Sequence, residues 1–206
     1  MLDATGKRAV ARDRRGFLKL VTGAGLVAAS GLAMNPTRAF ADLPPLPGLR
    51  PELPPELSMD VRELAFEAAH TGEKLTVPYF DNGRYVRDAL QAVKHIMRDH
   101  RNDQEHDIDP ALLDVLTVLR ERLGTTSPVT IVSAYRSPET NAMLAAQSGG
   151  VAKNSYHLRG QAIDIRMDDR TSREIFQVAL NMQAGGTSRY GRSDFVHIDT
   201  GPVRTW

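Results

Sequence analysis

Ala162-Ile163-Asp164-Ile165-Arg166-Met167 is the stretch on which the reading of the fold turns. Successive residues of a strand face opposite sides. Ile163, Ile165 and Met167 therefore share one face, and Asp164 and Arg166 the other. A strand of this kind covers a core with one face and presents polar side chains on the other. Phe195-Val196-His197-Ile198-Asp199 repeats the pattern, with Val196 and Ile198 on one face and His197 and Asp199 on the opposite one. If the two strands lie near each other in one sheet, Asp164 and His197 converge.

His157 precedes Asp164 by seven residues, with Gly160 between them. That spacing lets a loop bring the imidazole back over the strand that carries the carboxylate. Two imidazoles and one carboxylate suit Zn²⁺, with the fourth tetrahedral position left to water. Taken singly, each of the three is equally at home as a structural or solvated group, and spacing alone leaves both readings open.

Outward from these strands the chain alternates between elements without strict βαβ order. Leu64, Phe66 and Ala68, then Leu75, Val77 and Tyr79, predict a hairpin about Thr71-Gly72-Glu73. Residues 84–100 have helical spacing, with Val86, Leu90, Val93 and Met97 on one face. Asp109-Pro110 is a cap followed by a first-turn proline, predicting a helix to Gly124. Val129–Ala134 is β-branched, and Ser137-Pro138 starts another helix. Residues 171–184 form a further helix, stopped by Gly185-Gly186. The sum is an α+β domain over residues 60–206. The run from Asp99 to Asp109, dense in His and acids, lacks the order of a calcium loop and is predicted to be a solvated connector.

The chain has 206 residues, no cysteine and a formal net charge of +1. Disulfides and thiolate metal sites are excluded, and nothing favours a nucleic-acid partner. The first 41 residues carry seven Lys/Arg and two Asp/Glu, against 19 and 23 in the rest. Arg14-Arg15-Gly16-Phe17-Leu18-Lys19, an uncharged Gly/Ala-rich stretch and Ala39-Phe40-Ala41 together read as a twin-arginine export signal over 1–41. The expectation is an exported, periplasmic bacterial protein with no stable membrane span once the signal is removed. Residues 42–59 are proline-rich and predict a linker.

Ser155-Tyr156-His157-Leu158-Arg159-Gly160-Gln161-Ala162-Ile163-Asp164 fits the pattern S-x-H-x-x-G-x-A-x-D and resembles the M15-type zinc peptidases, which include D-Ala-D-Ala peptidases and hedgehog-like domains. Ser133-Ala134-Tyr135-Arg136-Ser137 is similar to their S-x-Y-R-S motif. Phe195 to Trp206 resembles the closing motif of the exported MepK-like murein endopeptidase branch, as does the hairpin with His70-Thr71-Gly72-Glu73. The resemblance spans roughly residues 60–206.

It implies a small, mostly antiparallel sheet flanked by helices, with one zinc ion per chain over the sheet on His157, Asp164 and His197. It also implies hydrolysis of amide bonds in peptidoglycan cross-links by metal-activated water, with stem peptides as substrate. Trimming by a D,D- or L,D-carboxypeptidase, and a non-catalytic zinc-bearing wall-binding module, are the alternatives it leaves. Many members place a Glu three residues before the last His; here Asp194 stands there. Others use a His two residues before it, where this chain has Phe195. The general base is therefore expected to be Asp194 or Asp199, and Asp199 could instead orient an imidazole. Arg136, at a strand end, is expected to aim its planar fork at a substrate carboxylate or oxyanion. Ser155 and Tyr135 are expected beside the substrate.

Overall fold

The computed structural model describes residues 60–147 and 152–206. The expected export signal and the expected linker lie outside the described residues. Thirteen elements follow in order. They are β1 (Val61–Ala68), β2 (Lys74–Asp81), β3 (Arg84–Tyr85), α1 (Arg87–Ile96), α2 (Pro110–Leu123), β4 (Val129–Ser133), α3 (Pro138–Gln147), a 3-10 turn (Tyr156–Arg159), β5 (Ala162–Arg166), α4 (Ser172–Met182), β6 (Gly186–Tyr190), β7 (Phe195–Asp199) and β8 (Arg204–Thr205). The strands form one eight-stranded sheet in the order β3-β2-β1-β4-β5-β7-β6-β8.

The α+β expectation holds, but the sheet is neither small nor uniform in direction. It has eight strands, and β1–β4 and β6–β8 are parallel while their neighbours are antiparallel. The long crossover from β1 to β4, carrying α1 and α2, is what permits the parallel seam.

Local chemistry accounts for most element ends. Asp109 accepts the amide of Ala111 at 3.0 Å, Pro110 opens α2, and Gly124 closes it at φ 59°. Nine consecutive residues of α2, Ala111 to Leu119, are buried, so this helix is the spine of the core. Thr171 and Glu174 form a reciprocal capping box on α4. The helix predicted over 84–100 is trimmed at both ends. Tyr85 instead pairs with Phe80 in β3, and beyond Ile96 the backbone of Asp99 bridges to Gln104. Leu64, Phe66, Val77, Tyr79, Val93, Leu112, Leu116, Ile163, Ile165, Val196 and Ile198 fill the core. As the alternation demands, β5 and β7 turn their isoleucines inward.

Candidate metal centre

The register pairs Asp164 directly with His197 and Ala162 with Asp199. The polar faces of β5 and β7 thus coincide. His157 arrives from the 3-10 turn, whose start is capped by Ser155 accepting the His157 amide and whose end is Gly160 at φ 64°. Two backbone links tie this turn to the β4–α3 corner. His157 Nδ1 donates to Ala134 O at 2.6 Å, and Arg136 N donates to His157 O at 3.1 Å.

Three acceptor atoms meet as a result. His197 Nδ1 lies 3.0 Å from Asp164 Oδ1, His157 Nε2 3.4 Å from the same oxygen, and the two ring nitrogens 3.2 Å apart. All three residues are buried. The outer nitrogen of each ring is already engaged: His157 Nδ1 by Ala134 O, and His197 Nε2 by Asp199 Oδ2 at 2.8 Å. These partners fix the tautomers so that both inner nitrogens present lone pairs.

Two ring nitrogens and a carboxylate oxygen within 3.4 Å, buried together, make a pocket suited to a cation at its centre. Ligands about 2.0–2.1 Å from a tetrahedral zinc would stand about 3.3 Å apart, which the three separations match. The donor set therefore fits zinc. Burial opposes ionisation of Asp164, but His157 and His197 outweigh it and hold its pKa below the ordinary carboxylate range. Burial likewise opposes charge on His197, but Asp164 and Asp199 outweigh it and raise its pKa. Both shifts describe a pocket that favours positive charge at its centre.

The cluster forms the floor of a half-open depression of about 410 Å³. Its walls are Arg136 and Ser155, the rings of Tyr156, Tyr190, Phe195 and Trp206, and Arg204. Arg136 is buried, and its contacts are long: Nη1 to Asn141 Oδ1 at 3.4 Å and Nη2 to Asp164 Oδ2 at 3.7 Å, with Nε unpartnered. Asp99 holds the corner that carries it. Far from being a solvated connector residue, Asp99 is buried and accepts the Ser137 amide at 2.9 Å.

The other expected site residues fall differently. Asp194 lines a separate depression with Arg166, Asp169 and Glu174. Its φ is 50°, and its carbonyl receives Arg166 Nε at 2.7 Å. A left-handed residue just before β7 leaves the strand's alternation, so spacing from His197 does not carry its side chain to the cluster. Asp199 is fully buried, with both oxygens occupied, and burial's upward push on its pKa is overcome by His197 and Arg204. It orients His197 and offers no free lone pair to the depression. Tyr135 stacks on His106 with ring centroids 4.9 Å apart and belongs to the core.

Sequence reasoning missed Tyr156 and Tyr190 as wall residues. Tyr190 ends β6, whose Thr187-Ser188-Arg189 run has no apolar alternation to betray a strand. Arg204 and Trp206 stood in the closing motif without an assigned role there.

The chain is similar to known proteins of one family. The family model described as peptidoglycan L,D-endopeptidase MepK matches residues 56–206. The chain is 43% identical over 179 residues to the peptidoglycan L,D-endopeptidase MepK of Escherichia coli, covering 86% of this chain and 91% of that protein. The protein of the same name from Shigella flexneri matches equally. The probable peptidoglycan L,D-endopeptidase MepK of Haemophilus influenzae is 38% identical over 146 residues, 70% of this chain and 78% of its own.

Proposed function

The chain belongs to the peptidoglycan L,D-endopeptidase MepK family, and from that premise we propose that it cleaves peptide cross-links of peptidoglycan with one zinc ion held by His157 Nε2, Asp164 Oδ1 and His197 Nδ1. The convergence of these three acceptors, each ring fixed from behind, is the observation that carries the reading. When bound there, zinc supplies Lewis-acid polarisation of the scissile carbonyl and activates water for its hydrolysis.

The chain's own groups do the rest. Arg136, with an unpartnered Nε and two long contacts, is poised to exchange them for a carboxylate or carbonyl oxygen of the stem peptide. Asn141 steadies that guanidinium and also donates to Ala152 O at 3.2 Å, tying the corner to the rim of the depression. Tyr156, Tyr190, Phe195 and Trp206 give apolar walls to a half-open depression, which admits a chain extending past the scissile bond on both sides. Among the described residues Asp164 is the only carboxylate lining it, so Asp199 is assigned to orientation and not to proton transfer. Export by the twin-arginine route, inferred from residues 14–41, would place the enzyme beside its substrate. No helix among the described residues is long and apolar enough to cross a membrane.

The test is incubation of the zinc-loaded protein with purified cross-linked muropeptides, with products resolved by mass. Release of the two stem peptides from a dimer is expected. Removal of only a terminal residue would replace this reading with a carboxypeptidase.

A further inference from the structure

Behind His197, the orienting Asp199 is itself held by an assembly that the hydrolytic reading does not use. Asp199 is fully buried, and five donors converge on it. Oδ1 accepts Gly186 N at 3.0 Å, Gly201 N at 2.9 Å and Arg204 Nη1 at 3.0 Å. Oδ2 accepts His197 Nε2 at 2.8 Å and Arg204 Nη2 at 2.6 Å. The Arg204 contact is a two-point fork on a carboxylate, the geometry that fixes the plane of the acceptor. Room for it is built into the backbone. A Cβ on Gly186 would stand 2.4 Å from Arg204 Nη1 and 2.5 Å from Asp199 Oδ2, and one on Gly201 would stand 2.3 Å from the Tyr156 ring.

The same guanidinium has a second set of neighbours. It sits 4.8 Å from the Tyr156 ring centre and 5.0 Å from that of Trp206. The Trp206 ring in turn lies 5.2 Å from His197. Trp206 is 57% exposed; besides this stacking, its Nε1 donates to the Tyr190 hydroxyl at 3.1 Å and its backbone oxygen accepts the Ser188 hydroxyl.

We infer that Arg204 is a positioning residue: through Asp199 it sets the ring of His197, and by stacking with Tyr156 and Trp206 it sets the wall over the cluster. The inference rests on the zinc reading above. Without the fork, the Gly186 and Gly201 amides still hold Oδ1 but only His197 itself contacts Oδ2, so the acceptor of the His197 N–H is less firmly placed and Nδ1 loses part of its fixed direction. Orienting partners of this kind are worth about 10–100-fold in metal affinity. A purely structural ion pair would change the folding midpoint and leave the folded site untouched.

The experiment uses the zinc-free full chain as wild type, Arg204→Ala and Arg204→Lys. Thermal melting checks folding, competition with a chromophoric chelator gives zinc affinity, and the visible spectrum of the cobalt-loaded protein reports ligand geometry. Turnover of cross-linked muropeptides is resolved into kcat and KM. Arg204→Ala is expected to weaken zinc binding about 10–100-fold, to shift the cobalt bands and to lower kcat. Arg204→Lys, which keeps the charge and loses the fork, is expected to recover only part. Added guanidinium is expected to restore part of both zinc affinity and KM to Arg204→Ala, because the same planar group fills the fork and lies beside the Tyr156 and Trp206 rings. A folded Arg204→Ala with wild-type zinc affinity and cobalt spectrum overturns the inference. If Arg204→Ala does not fold, wild-type values for Arg204→Lys overturn it instead. A wild type that takes up no zinc sinks the zinc reading itself and this inference with it, an outcome visible before any variant is made.

Discussion

Two buried polar clusters sit in one sheet and differ in how their hydrogen bonds add up. In the first, Asp114 accepts Arg62 Nη1 at 2.6 Å, the Tyr79 hydroxyl at 3.0 Å and the Tyr85 hydroxyl at 2.6 Å. Arg62 also lies 3.7 Å over the Phe80 ring. Burial and the Asp114 charge raise the pKa of both tyrosines, so they remain donors. Three donors face one acceptor group and match the carboxylate, while Arg62 Nε has no hydrogen-bond partner. In the second, His157, Asp164 and His197 turn two ring nitrogens and a carboxylate oxygen toward one another, within reach of a single cation. A cluster with its carboxylate matched stabilises the native state; one left short of a cation binds something. The distinction lies in the sign of the groups, since both clusters are buried and both contain one aspartate.

The comparison can be broken most sharply at Asp164. Replacing Asp164 by Ala is expected to abolish stoichiometric zinc uptake and to lower muropeptide cleavage at least about a thousand-fold, the several kcal/mol a Lewis acid contributes. Full zinc uptake by the folded Asp164→Ala variant would show that this cluster is not the metal centre. The converse change is Asp114→Ala, which strands the buried Arg62 charge and is expected to cost about 3–5 kcal/mol in denaturant unfolding. Zinc bound per folded molecule should stay at one; a loss of binding in the folded fraction would join the two clusters into one system.

The smallest effect belongs to an accessible pair in the same half as Asp114. Arg98 Nη1 donates to Glu73 at 2.9 Å, and this bond, against the opposing effect of burial, lowers the Glu73 pKa. His95 also faces Glu73, at 3.7 Å. A depressed carboxylate pKa means stability that is present above the ordinary glutamate range and lost as pH falls through the lowered value. Wild type should therefore exceed Glu73→Gln by under about 1 kcal/mol at neutral pH, with the gap closing on acidification. A gap that widened toward low pH would reverse the sign assigned here.

Much of the candidate site was legible because strand alternation writes it out, and part of the fold because local caps do. Strand alternation puts Asp164 and His197 on faces that the β5–β7 register then superimposes, and the Asp109-Pro110 cap announces α2. What failed was whatever alternation does not govern. Asp194 stands in a left-handed conformation that takes it out of the strand. Tyr135 is turned to His106 by packing from a distant loop. Strands β3, β6 and β8 are short or polar, and only their neighbours make them strands. The parallel seam at β1–β4 depends on a crossover of some sixty residues, beyond the reach of any local pattern.

The sheet's two outermost strands, β3 and β8, are each two residues long, and each carries an arginine. An exposed edge is where a foreign strand adds itself, and natural sheets blunt their edges by shortening and charging them. An eight-stranded sheet that ends in Arg84-Tyr85 on one side and Arg204-Thr205 on the other presents short, charged strands at both rims, and where β2 runs past β3 it carries Lys74 and Pro78, two further residues that discourage strand addition. Arg204 thus serves twice, as a clamp on Asp199 and as a charge on the rim that discourages self-association.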